Sequence, residues 1–123
     1  MQHNPGFENL CSTARQQVTE TTVDAVKSHM DNDELPLLID VREDSEWFTD
    51  HLPQAIHLGR GIIERDIETQ VPNKNTKMIL YCGGGFRSVL AAESLQKMGY
   101  TNVISMDGGY RLWKEKGYPL VNH

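Results

Sequence analysis

Apolar residues along this chain fall into short continuous runs separated by amphipathic stretches. Phe7, Leu10, Cys11, Ala14 and Val18 recur at helical spacing and predict an amino-terminal helix. A short strand is expected near Val18, and Thr21 with Asp24 resembles a capping box opening a helix over Val23, Ala25, Val26 and Met30. Residues 37–41 form an apolar run broken only by Asp40, which suits a strand covered on both faces. Residues 43–50 give one or two helical turns, ended by Leu52 and Pro53. Residues 55–58 read as a third short strand, Ile62, Ile63 and Ile67 as a helix after Gly61, and residues 71–76 as a turn. Residues 78–82 are the next strand. The helix after it carries Ala91, Leu95 and Met98 on one face and stops at Gly99, where a left-handed residue is needed. Residues 102–106 are the last strand expected. Asp107, Gly108 and Gly109 then open a final helix with Leu112 and Trp113, which Gly117 and Pro119 close. Strands alternating with helices at this spacing predict an α/β fold: a parallel sheet covered on both faces, with right-handed crossovers.

Length and composition narrow the function. A chain of 123 residues fits one domain. The net charge of −5 argues against nucleic acid as a partner, and neither a polybasic patch nor a long apolar run points to a membrane. The amino terminus lacks the basic start and apolar core of a secretory signal. Two cysteines, Cys11 and Cys82, make neither a disulfide framework nor a zinc pattern, so a reducing, cytoplasmic location is expected. His51 and His57 fit no common metal-ligand spacing, and nothing calls for a metal or a cofactor.

The chemistry concentrates in Cys82-Gly-Gly-Gly-Phe-Arg87-Ser88. A buried cysteine by itself is a small hydrophobe. Here it ends a strand and precedes a helix, the edge where open α/β sheets bind ligands. Gly83, Gly84 and Gly85 let the backbone curl around the sulfur, and successive amides in such a curl form an anion nest. Phe86 either lines the pocket or seats the loop. Arg87 adds a charge that cannot be deprotonated, and Ser88 adds a hydroxyl in the first helical turn. The helix end favours the thiolate over the free thiol. Because intrinsic nucleophilicity falls as the thiol pKa falls, the larger benefit is stabilisation of an anion bound beside the sulfur. Only four residues separate Cys82 from Arg87, a smaller cradle than the five-residue spacing of cysteine phosphatases. It suits one extra sulfur atom better than a phosphoryl group.

At these positions the chain resembles the rhodanese-like single-domain sulfurtransferases. The matching pieces, in family order, are Ile39-Asp-Val-Arg42, His51-Leu-Pro53 with Ala55, and Arg60-Gly61 with Glu64. Tyr81-Cys82 through Arg87-Ser88, Gly99-Tyr100 with Asn102-Val103, and Gly108-Gly109 with Trp113 complete the set. The resemblance implies a three-layer α/β/α fold around a five-stranded parallel sheet, with residues 1–123 as one domain and 1–16 as an amino-terminal helical extension. It also implies that Cys82 accepts sulfane sulfur as a persulfide held by residues 83–88. The sulfur would come from thiosulfate or a persulfide and pass to a thiol, cyanide or a sulfur-accepting protein. Where the family often reads Gly-His-Ile-Pro-Gly-Ala, this chain has Asp50-His-Leu-Pro-Gln54-Ala, so that turn is expected to differ.

Asp40 and Arg42 flank the end of the second strand and are read as structural residues ion-paired with other charges, with a place behind the site as the alternative. Arg60 is read as a helix-start arginine paired with Glu64, with the pocket rim as its alternative place. Trp47 and Trp113 are read as core anchors, His51 as a hydrogen-bonded structural residue, and Cys11 as packing or as a thiol able to resolve the Cys82 persulfide. Two other functions stay open: a low-turnover persulfide carrier or redox-sensing module, and a phosphatase or arsenate reductase.

Overall fold

Residues Met78–Tyr81 are all buried and form the middle strand of a five-stranded parallel sheet. The architecture is that of a computed structural model describing residues 3–123. In chain order the elements are α1 (Pro5–Arg15), β1 (Thr19–Thr21), α2 (Val23–Asp31), β2 (Leu37–Asp40), α3 (Asp44–Thr49), β3 (Asp50–His51), β4 (Ile56–His57), α4 (Ile63–Gln70), β5 (Met78–Tyr81), α5 (Phe86–Lys97), β6 (Val103–Met106), α6 (Gly109–Glu115) and β7 (Val121–Asn122). The main sheet runs β1-β6-β5-β2-β4, and every neighbouring pair is parallel. The chain leaves β2 toward β4 on one side and leaves β5 toward β6 on the other. A crevice therefore opens between the carboxyl ends of β2 and β5, the switch point where such sheets bind ligands.

The two-residue period of the strands sorts the core into two layers. Met78 and Leu80 join Ile39, Val41 and Val103 against α1, α4 and α5, with Ile63, Ile67, Val89 and Leu95 filling the space. Ile79 and Tyr81 turn to the opposite face, where Val23, Val26, Met106 and Trp113 pack under α2 and α6.

Several local expectations shift. Helix α1 ends at Arg15, so Val18 is buried beyond it rather than in it, and Leu10 faces solvent. The cap of α2 is Thr22, whose hydroxyl accepts from the Ala25 amide at 3.0 Å. Thr21 is unavailable because its backbone lies in the β1–β6 ladder opposite Met106. Residues 102–106 do not contribute the last strand: β7 pairs antiparallel with β3 in a separate two-stranded sheet, Asp50 opposite Asn122 and His51 opposite Val121. At the turn where Gln54 stands in place of the family glycine, Gln54 adopts the left-handed conformation that favours glycine, with φ +69°. Among the described residues no helix is long and apolar enough to cross a membrane.

Candidate active site

Cys82 lies one residue past β5 and in phase with Met78 and Leu80, so its side chain enters the α1–α5 layer. Its Sγ accepts from the amides of Gly85 at 3.2 Å and Ser88 at 3.3 Å. The thiol donates to Ser88 Oγ at 3.5 Å, and that hydroxyl is paired with Ser105 Oγ on β6 at 2.8 Å. Gly85 closes the curl with φ +95°, and a Cβ there would stand 3.3 Å from Asp107 Oδ1. The amides of Gly84, Phe86 and Arg87 have no hydrogen-bond partner among the described residues. Cys82 is only 1% exposed, yet it lines a cavity of about 440 Å³ and so has a route to a ligand.

Two helices hold this loop from opposite sides. Gly109 approaches so closely that a Cβ would lie 2.5 Å from the Cys82 carbonyl oxygen and 2.8 Å from that of Gly83. With φ +58° and no side chain, it lets Tyr110 N–H donate to the Cys82 carbonyl at 2.8 Å and Arg111 N–H to the Gly83 carbonyl at 3.0 Å. From α1, Arg15 Nη2 donates to the Gly85 carbonyl at 3.2 Å and Cys11 Sγ to the Phe86 carbonyl at 3.7 Å. Arg15 is itself tied to Glu20 and lies 3.7 Å from Asp107. Burial pushes the Cys11 thiol pKa up, against the opposing charges of Arg15 and Arg60.

The charges differ from the sequence expectation. Arg87 is not a free cation over the loop: its guanidinium spans the crevice to Glu46 on α3, at 2.9 and 3.3 Å. Glu46 is doubly engaged, because its carboxylate also accepts from the Glu43 amide at 2.9 Å in a capping box. Burial works against the Glu46 carboxylate, but the hydrogen bond from Arg87, the Glu43 amide and the charges of Arg87 and Arg42 outweigh it and hold its pKa below the ordinary glutamate value. The cation left over is Arg111, a residue the sequence reading missed. Its Nη2 would lie 3.3 and 3.4 Å from Cβ atoms built on Gly83 and Gly84, and it has no ion-pair partner among the described residues. The available signal was its place two residues after Gly109, in the first turn of the last helix. Phe86 both lines the cavity and seats the loop, in an aromatic group with Phe7 and His3.

Asp40 and Arg42 are structural, but they pair with each other and not with other charges, in a buried fork with contacts of 2.8–3.1 Å. Arg42 also donates to the Asp50 carbonyl, and the Tyr81 hydroxyl donates to Asp40 at 2.6 Å; none of their hydrogen bonds reaches residues 82–88. Arg60 makes no ion pair with Glu64. Its Nε is buried without a hydrogen-bond partner among the described residues, and its charge acts on the Cys11 thiol instead of running out along α4. His51 is hydrogen-bonded, with Nδ1 2.8 Å from the Leu52 carbonyl. Trp113 anchors the core, but Trp47 does not: it sits on α3, which buries no residue, and stacks on His51 and His57 with ring centroids 3.6 and 5.1 Å away.

Residues 22–116 match the family model of the rhodanese-like domain. Two similar proteins of Bacillus subtilis (strain 168) bear provisional names. The sulfur carrier protein YrkF is 32% identical over 99 residues, which are 80% of this chain and 52% of YrkF. The chain therefore spans about half the length of that relative. The sulfurtransferase YtwF is 32% identical over 103 residues, covering 84% of this chain and 97% of YtwF. Among solved structures, a Rhodopseudomonas palustris protein of unknown function, described as a possible tyrosine phosphatase, superposes with a TM-score of 0.79 at 27% identity and 98% coverage of both chains.

Proposed function

The chain belongs to the rhodanese-like family, and on that premise we propose that it is a sulfurtransferase working through a Cys82 persulfide. One observation carries the reading: the Cys82 sulfur is held by two loop amides at the wall of a cavity, with three further amides of the same loop unbonded beside it. The Cys82 thiolate attacks the outer sulfur of thiosulfate or of a persulfide. A sulfur–sulfur bond to Cys82 forms, the donor's own sulfur–sulfur bond breaks, and sulfite or a thiolate leaves. Amides of residues 83–88 hold the charge on the transferred sulfur, and the Ser88 hydroxyl turns its proton toward it. A thiol or cyanide then removes that sulfur and restores the thiolate. Two half-reactions sharing one covalent intermediate give ping-pong kinetics, and no general base is needed. Asp40 and Arg42 fix the ends of β2 and β3 behind the site. Residues 1–123 act as one rhodanese-like domain with 1–16 as an extension, in a reducing, cytoplasmic setting that returns Cys82 to the thiol.

Intact-mass measurement after thiosulfate treatment tests this. The expected result is a gain of one sulfur atom in the parent and none in Cys82→Ser. An unmodified parent, or equal labelling of both proteins, counts against it. The name of YrkF keeps a carrier role in view. Continuous thiocyanate production from thiosulfate and cyanide supports an enzyme, whereas one equivalent loaded without turnover supports a carrier. The phosphatase reading is disfavoured by the short loop and by the Glu46 carboxylate on Arg87, and no hydrolysis of an aryl phosphate is expected.

A further inference from the structure

The cavity beside Cys82 is built for more than a small inorganic ion. At about 440 Å³ it falls within the range of sites for organic ligands. Its walls differ in kind. Phe7 and Phe86, with ring centroids 5.9 Å apart, supply an apolar side. Beside them His3 carries a buried Nε2 with no hydrogen-bond partner among the described residues. On the polar side Glu46 neutralises Arg87, so the charge left for a ligand is that of Arg111. A single unpaired guanidinium next to an apolar wall matches a molecule with one carboxylate joined to its thiol by a short hydrocarbon.

We infer that Arg111 and the Phe7–Phe86 wall form a subsite for a low-molecular-weight thiol bearing a carboxylate, which takes sulfur from the Cys82 persulfide. The inference rests on the sulfur-transfer reading of Cys82. In the step, the acceptor thiolate bonds to the outer sulfur, the sulfur–sulfur bond to Cys82 breaks, and its electron pair returns to Cys82 as thiolate. The transferred sulfur keeps its oxidation level, so no external oxidant or reductant takes part. Arg111 positions the carboxylate and the aromatic wall carries the hydrocarbon. Run in reverse, the same geometry accepts the organic persulfide as donor.

The test compares 3-mercaptopropionate with 3-mercaptopropanol as acceptors for thiosulfate-loaded protein, with kcat/KM normalised to thiolate. These thiols differ chiefly in the charged group. The wild type is expected to favour the carboxylate about fivefold, the upper end for a partly exposed ion pair. Arg111→Ala should bring the ratio to about one, and Arg111→Lys should keep part of it. A ratio is insensitive to a general loss of active protein, so a merely structural role for Arg111 would not move it. A wild-type ratio near one, or an unchanged ratio in Arg111→Ala, overturns the subsite. Absence of any persulfide on Cys82 after thiosulfate overturns the sulfur-transfer reading itself, and the subsite with it.

Discussion

A carboxylate in contact with a guanidinium limits what that guanidinium can offer a ligand. Glu46 takes up the charge of Arg87 that sequence alone assigns to the donor. Thiosulfate, a dianion proposed here as donor, would meet this carboxylate on entering the cavity. Glu46→Gln keeps the capping role, since glutamine serves at that helix position, but removes the opposing charge. We expect kcat/KM for thiosulfate to rise up to about fivefold, within the range of exposed pairs. The sign of the pH effect follows from the lowered Glu46 pKa. The pair contributes to stability above the unfolded glutamate value of about 4.3 and loses that contribution as pH falls through the lower folded value. A melting-temperature difference between wild type and Glu46→Gln near pH 7 that closes below about pH 4 would agree; a constant difference would not. The sequence reading gave residues 43–50 only as helical turns and named no cap there, and the Arg87 contact spans 41 positions and has no local signal.

At the scale of elements, β5, the glycine loop and α5 were legible because each follows from local pattern: a fully apolar strand, a run of small residues, then an amphipathic helix. The start of α6 was legible too, but its purpose was not, because the approach of Gly109 to the Cys82 carbonyl is set by packing between elements. Strands β3 and β7 are two residues each, too short to show a period, and they pair across the length of the chain. Trp47 was misassigned for a related reason: α3 is six residues long and buries none of them, and the Trp47 ring stacks on His51 and His57 from elements the local pattern does not link to it. The α6 contact can be tested by substitution. Gly109→Ala forces a Cβ against two backbone oxygens in a left-handed conformation. Gly117→Ala, at φ +72°, has the same strain but nothing within 4 Å. We expect Gly117→Ala to cost about 1–2 kcal/mol from backbone strain alone. Gly109→Ala should cost about 1–3 kcal/mol more from overpacking, and only it should slow persulfide formation on Cys82. Denaturant melts paired with loading rates check both, and equal loading rates would mean the loop does not depend on this contact.

Across the whole molecule, the net charge of −5 does not govern the site, because exposed charges are screened beyond about 8 Å in physiological salt. The charges bordering the cavity, the Arg87–Glu46 pair and Arg111, are the ones close enough to act on a ligand there. The family match begins at residue 22, yet α1, which lies before it, buries Cys11 and Ala14 in the same core layer as Cys82. It also reaches the carbonyls of Gly85 and Phe86. The segment before residue 22 thus forms part of the wall and part of the loop's support. If residues 1–123 are one cooperative domain, the full chain should melt in a single transition by calorimetry and by far-ultraviolet circular dichroism alike. Removing residues 1–16 should lower the melting temperature by roughly 10 °C, as expected for losing about 2–3 kcal/mol of burial from a chain of this size. It should also slow thiosulfate loading of Cys82, because the Gly85 and Phe86 carbonyls lose their partners. Two separate transitions in the full chain would show α1 to be an independent appendage. Undiminished loading in the shortened protein would show that the loop holds its shape from α6 and its own glycines.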